Sequence, residues 1–121
     1  MIQKLKFMDV AIYEEQATRA GLIFCASTEY YGIVENGQIL AFAGLLNYVK
    51  KSTIKNIYVI ESERGKGHFK ALMAYFLTIT KGKTLEANCT SMSLGHFLTL
   101  GFKQTKLFKN GITQVKYENL P

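Results

Sequence analysis

The spacing of apolar residues changes abruptly between residues 53 and 80, and that change constrains the fold more than any other feature of the chain. Thr53–Ile60 is rich in β-branched and aromatic residues, closing on Ile57-Tyr58-Val59-Ile60, and reads as a strand. Shortly afterwards Phe69, Leu72, Met73, Phe76, Leu77 and Thr80 recur at i, i+3, i+4, i+7, i+8 and i+11, the spacing of one helix face. A strand therefore passes almost directly into a buried amphipathic helix, and Lys81-Gly82-Lys83 supplies the glycine and cations that suit its C-terminus.

The other elements fall around this unit. Ile2–Met8 reads as a first strand, and Asp9 as the N-cap of a helix to about Ala20, with Val10, Tyr13, Ala17 and Ala20 at helical spacing and Gly21 ending it. Tyr30–Glu35 and Gln38–Val49 flank Asn36-Gly37, a two-residue hairpin signal, and Lys50-Lys51 makes the next turn. Thr84–Ala87 is a short strand. Thr90 or Ser91 caps a second helix to Leu100, with Leu94, Phe97 and Leu98 on one face and Gly101 as its stop. Lys103–Lys109 and Ile112–Leu120 flank Asn110-Gly111, which predicts a second hairpin of the same turn type. The expected order is β-α-β-β-β-α-β-α-β-β. With 121 residues, 48% hydrophobic content and one proline, the chain suits one domain over residues 1–121.

Composition excludes several classes. No apolar run is long enough to span a bilayer, and the start lacks the apolar stretch and cleavage site of a secretory signal, so a cytoplasmic protein is expected. Cys25 and Cys89 lack CxxC spacing, which predicts buried free thiols, no disulfide and no metal site. The net charge of +6 is uneven: residues 1–60 carry six Lys/Arg against five Asp/Glu, and residues 61–121 carry nine against four. The basic second half suits a polyanionic partner, whether nucleic acid, an anionic membrane surface or a phosphorylated cofactor.

The segment Glu61-Ser62-Glu63-Arg64-Gly65-Lys66-Gly67-His68-Phe69-Lys70 decides among these. Glycines let a backbone turn tightly around an anion, and the N–H groups of a helix's first turn then point at it, so a pyrophosphate fits here. The familiar nucleotide loops are excluded: no G-x-x-x-x-G-K-S/T occurs, and G-x-G-x-x-G fails at Lys70. The chain instead resembles the GNAT N-acetyltransferases, whose signature is Q/R-x-x-G-x-G/A opening the central helix. Arg64-Gly65-Lys66-Gly67 matches its first part, Ile57-Tyr58-Val59 looks like the preceding strand, and Phe97-Leu98-Thr99-Leu100-Gly101-Phe102 is similar to the family's Y-x-x-x-G-F. The likeness runs from about residue 28 to the C-terminus.

The resemblance implies an α/β (α+β) fold with a mixed, mostly antiparallel twisted sheet of about seven strands, a central helix after strand 4 and a C-terminal hairpin. It implies transfer of acetyl from acetyl-CoA to an amine by direct attack. Ile57, Tyr58 and Val59 are then expected along the pantetheine arm, with the Val59 N–H on the thioester carbonyl, Arg64, Gly65, Lys66, Gly67, His68, Phe69 and Lys70 around the pyrophosphate, and Phe97 also against the cofactor. The partners are acetyl-CoA and an amine acceptor, with no specific nucleic acid and no membrane. A base must deprotonate an ammonium of pKa about 10.4, and Glu35, Glu61, Glu63 and His68 are candidates by type. Three positions depart from the pattern: Phe69 replaces the last Gly/Ala, Glu61 a common proline, and Phe97 the tyrosine that protonates the departing thiolate. His96, beside Phe97, is a substitute donor. These departures keep a second reading open, a weak or inactive GNAT-like module that binds CoA, nucleic acid or protein. Cys89, just before a helix start, is a formal nucleophile that such a reaction does not need.

Overall fold

The hairpin signal at residues 36–37 is realised as read. In the computed structural model, which describes residues 2–6, 9–10 and 28–120, Asn36 (φ 50°) and Gly37 (φ 76°) both take positive φ and join β2 (Glu29–Glu35) to β3 (Gln38–Asn47). The next turn is closed by the Tyr48 N–H on the Lys51 carbonyl, so Lys51 already belongs to β4 (Lys51–Val59) rather than to the turn. A 3₁₀ turn (Glu61–Glu63) leads into α1 (His68–Ile79), β5 (Lys83–Cys89), α2 (Ser91–Thr99), β6 (Lys103–Leu107) and β7 (Thr113–Asn119). At the other end, β1 (Ile2–Leu5) stops short of the expected Met8.

These strands form one sheet in the order β1-β2-β3-β4-β5-β7-β6. β4 and β5 run parallel because α1 carries the chain back between them, while the other pairs are antiparallel. On one face Leu72, Met73 and Phe76 of α1 pack with Ala41, Ala43, Leu45, Ile54, Leu85 and Val115. On the other, Leu5, Val10, Tyr30, Ile39 and Phe42 form a second apolar cluster. The alternation of strand side chains between faces produces both layers.

Three expectations need correction. Asp9 is itself helical and its carboxylate accepts from the Lys6 N–H, so it braces the helix start from within the first turn and is not the N-cap. The rest of that helix, with Tyr13, Ala17 and Ala20, lies outside the described residues, as does Cys25. Leu98 is 43% exposed, because a nine-residue α2 buries only a narrow stripe, with Phe97 buried and Leu94 partly covered. The second hairpin is not a two-residue turn. The Phe108 N–H bonds the Ile112 carbonyl, the Gly111 N–H bonds Phe108, and only Gly111 has positive φ (83°), giving a three-residue loop in which the Asn110 side chain accepts from the Ile112 N–H.

Phe76 is fully buried between α1 and the sheet, whereas Val49 at the β3–β4 turn is 91% exposed. Phe76→Ala is expected to lower unfolding free energy by about 3–5 kcal/mol, and Val49→Ala to change it by less than about 0.5 kcal/mol. Urea denaturation of the two variants checks the contrast.

Candidate functional site

β4 and β5 pair over only four rungs, from Lys51↔Thr84 to Ile54↔Ala87. Beyond Ile54, β4 stays with β3 alone and parts from β5. A bulge causes the divergence. Between the pairs Gly44↔Lys55 and Phe42↔Tyr58, Asn56 and Ile57 together face Ala43. Such an insertion bends a strand and raises its twist. Asn56 takes φ 53°, which asparagine tolerates better than most residues, and its amide donates to the Tyr30 hydroxyl (3.0 Å).

The bulge also sorts the residues at the end of β4. Ile57 and Val59 pack toward the α1 side, while the Tyr58 ring turns to the other face, 5.7 Å from Phe42. The Ile60 N–H bonds the Leu40 carbonyl on β3, so strand alternation aims the backbone groups of Val59 at the side that β5 has left. There the Val59 carbonyl accepts a hydrogen bond from Arg64 Nε (3.1 Å), and the guanidinium lies 6.0 Å from the Tyr58 ring centre. Arg64 thus ties the loop to the strand end.

The loop then opens the helix. Gly65 (φ 80°) and Gly67 (φ 85°) take a conformation that L side chains rarely adopt, and a Cβ on either would meet nothing within 4 Å. Open space therefore lies in front of the loop. Gly67 is the N-cap, the first helical bond runs from the Ala71 N–H to the Gly67 carbonyl, and no side chain caps the turn. The N–H groups of His68, Phe69 and Lys70 have no acceptor within the helix, and no acid occupies that turn.

Glu63 accepts from Lys66 Nζ (2.9 Å) and pairs with His68 Nε2 (3.0 Å). The bond to His68 first, and then that to Lys66, hold its carboxyl below the usual range. A carboxylate so engaged braces the loop and is a poor proton acceptor. Glu61 is exposed at the start of the 3₁₀ turn and Glu35 is exposed at the hairpin tip.

Two of the departures from the expected pattern touch each other. Phe69 packs edge-to-face on Phe97 (centroids 5.1 Å, 82°) and lies 5.5 Å from the His96 ring. Phe97 is 1% exposed, with Phe102 on its other side (5.1 Å) and Tyr117 beyond Phe102 (5.4 Å). Phe97 is thus a core side chain roofed by Phe69, and the exposed group here is His96, in the last turn of α2. Cys89 is buried, its thiol donates to the Thr113 carbonyl (3.4 Å), and burial raises its pKa, which suits packing rather than attack.

The Asn56 bulge, the Arg64 tie and the Glu63 brace are absent from the sequence reading. The one available signal was an asparagine within a β-branched run, a poor strand residue that tolerates positive φ.

The sequence and the fold are matched by known proteins. The sequence profile described as Acetyltransferase (GNAT) family covers residues 3–111. The chain belongs to the GNAT acetyltransferase family. Solved structures share its fold at low identity. An N-acetyltransferase from Staphylococcus aureus superposes with TM-score 0.77 at 18% identity, over 98% of both chains. An IAA acetyltransferase from Bacillus cereus gives 0.73 at 18%, also over 98% of both. N-acetylglutamate synthase from Neisseria gonorrhoeae, solved with coenzyme A and L-arginine, gives 0.77 at 15%, over 98% of this chain and 32% of that one. No curated protein sequence matches the chain. No helix among the described residues is long and apolar enough to cross a membrane.

Because Glu63 titrates lower when folded than when unfolded, its contribution to stability is present above its ordinary pKa near 4.5 and is lost as pH falls through the lower folded value. Glu63→Gln is expected to flatten the acid limb of stability against pH below about 4.5. Thermal melts of both proteins between neutral and acid pH measure it; unchanged acid limbs would refute the brace.

Proposed function

We propose that the protein is an acyl-CoA-dependent N-acetyltransferase that moves acetyl from acetyl-CoA to an amine by direct attack. The observation that carries this reading is the β4–β5 split opening beside an uncapped helix N-terminus with open space at Gly65 and Gly67. The residues present fit CoA. The N–H groups of His68, Phe69 and Lys70 and the backbone of Gly65 and Gly67 receive the pyrophosphate, with Arg64, Lys66 and Lys70 as its cationic rim. Ile57, Tyr58 and Val59 offer backbone groups to the pantetheine arm.

In the reaction the neutral amine nitrogen forms a bond to the thioester carbonyl carbon. The carbonyl oxygen takes negative charge, and the Val59 N–H donates to it. Collapse breaks the C–S bond, the amine proton passes to water or to a base such as Glu61, and the thiolate takes a proton from water or His96. Phe97 has no proton to give and is covered by Phe69. That observation favours slow turnover, because acid catalysis contributes roughly 10²–10⁴-fold. It also supports, as a second reading, a module that binds CoA with little turnover.

Acetyl-CoA is expected to bind with micromolar-scale affinity and to raise Tm by mass action, and Gly67→Asp, which adds a side chain at positive φ and a negative charge, is expected to abolish both effects. Calorimetry checks this; no binding at millimolar acetyl-CoA, or unchanged binding by Gly67→Asp, refutes the assignment. His96→Ala separates the proton donors by thiol release: a large fall in kcat with unchanged CoA affinity assigns the role to His96, and no fall leaves it to water or another residue.

A further inference from the structure

On the face of the sheet turned away from α1 and α2, Lys103 of β6 stands directly opposite Lys116 of β7. A like-charge pair in that position costs stability. β6 also bulges at Thr105, so Lys106 falls opposite Gln114 and shares a face with Lys103, although strict alternation would send residues three apart to opposite faces. Across β7, Lys116 lies opposite Glu86 of β5. Glu86 is 8% exposed and is approached by Lys116 Nζ and Lys51 Nζ, each at 3.7 Å, and by Gln114 Nε2 at 3.3 Å. Lys55, the first residue of β4 past the split, shares this face with Thr53, the rung partner of Glu86.

Lys51, Lys55, Lys103, Lys106 and Lys116 therefore share this face, and Lys51 and Lys116 approach its buried Glu86 carboxylate. Glu86 balances one of them. Glu118, a second acid on this face, lies opposite Thr84, the rung partner of Lys51, at the end away from the split. The side chains of Lys51 and Lys116 keep 47% and 41% of their surface exposed, so their ammonium groups remain available to a ligand.

We infer that this lysine face selects an amine acceptor that carries carboxylates, an acidic amino acid or a short acidic peptide. The inference rests on the acyl-transfer reading. With CoA held at the loop and the start of α1 as proposed, the amine approaches the thioester from the opposite face, past these lysines. Their excess of positive charge draws in carboxylates and repels polyamines.

The test titrates L-glutamate, triglutamate with a free amino terminus, and spermidine onto the CoA-loaded protein by calorimetry, and assays thiol release from acetyl-CoA with the same amines. At least one glutamate ligand is expected to bind about tenfold or more tightly than spermidine, and to weaken as salt rises from about 0.05 M to about 0.5 M. Glutamate binding as well as triglutamate assigns a single amino acid; binding of triglutamate alone assigns a peptide. The double variant Lys103→Glu/Lys106→Glu, with an unchanged circular dichroism spectrum and CoA affinity, is expected to lose the preference. Equal or tighter spermidine binding, no binding of either glutamate ligand, or a preference that survives the double variant overturns the inference. Failure of CoA itself to bind is a separate result, and it overturns the acyl-transfer reading together with this inference.

Discussion

β4 keeps hydrogen bonds to β3 along its length but to β5 for only four rungs, because the bulge at Asn56 and Ile57 turns it away. The chain's candidate chemistry depends on that turn. It leaves the backbone of Val59 facing a gap, and it sends the chain through the 3₁₀ turn into a loop tied back to Val59 by Arg64. An unpaired strand end in a sheet interior costs free energy unless something else occupies it. A ligand with amide groups of its own, such as a pantetheine arm, suits that gap.

The polar and apolar sides of the gap are built differently. On the loop, Glu63 spends its charge on Lys66 and His68, which fixes the backbone around Gly65 and Gly67 while placing no acid in the first turn of α1. On the helix side, Phe69 fills space that a smaller residue would leave, and in doing so roofs Phe97. A hydroxyl at residue 97 would have little value beneath that roof, so the two substitutions form one packing solution. Ring contacts continue through Phe102 to Tyr117, joining α1, α2 and β7 into one apolar block.

The opposite face of the sheet carries charge. Its lysines come from β4 and from the distant β6–β7 hairpin, and a bulge in β6 aligns two of them. Folding gathers like charges on one face although it gains nothing from their proximity.

Much of this was legible in the sequence because local physics encodes it. Period-two and period-3.6 spacing marked the sheet and both later helices, Asn36-Gly37 fixed one hairpin, and Arg64-Gly65-Lys66-Gly67 at a strand-to-helix junction pointed to an anion site. The errors fell where a local signal has two outcomes. Asn110-Gly111 suits a three-residue loop as well as a two-residue turn, and the strand pairing of β6 with β7 chose between them. The spacing of Leu98 matched a buried face, but a helix as short as α2 has too little neighbouring surface to cover it. Tertiary structure alone decided that β4 leaves β5 after Ile54, that Glu63 is a brace, that Phe69 covers Phe97, and that Lys51 and Lys116 meet at Glu86. Each depends on which strands and helices become neighbours, and residues distant along the chain carry no record of their partners until the sheet order brings them together.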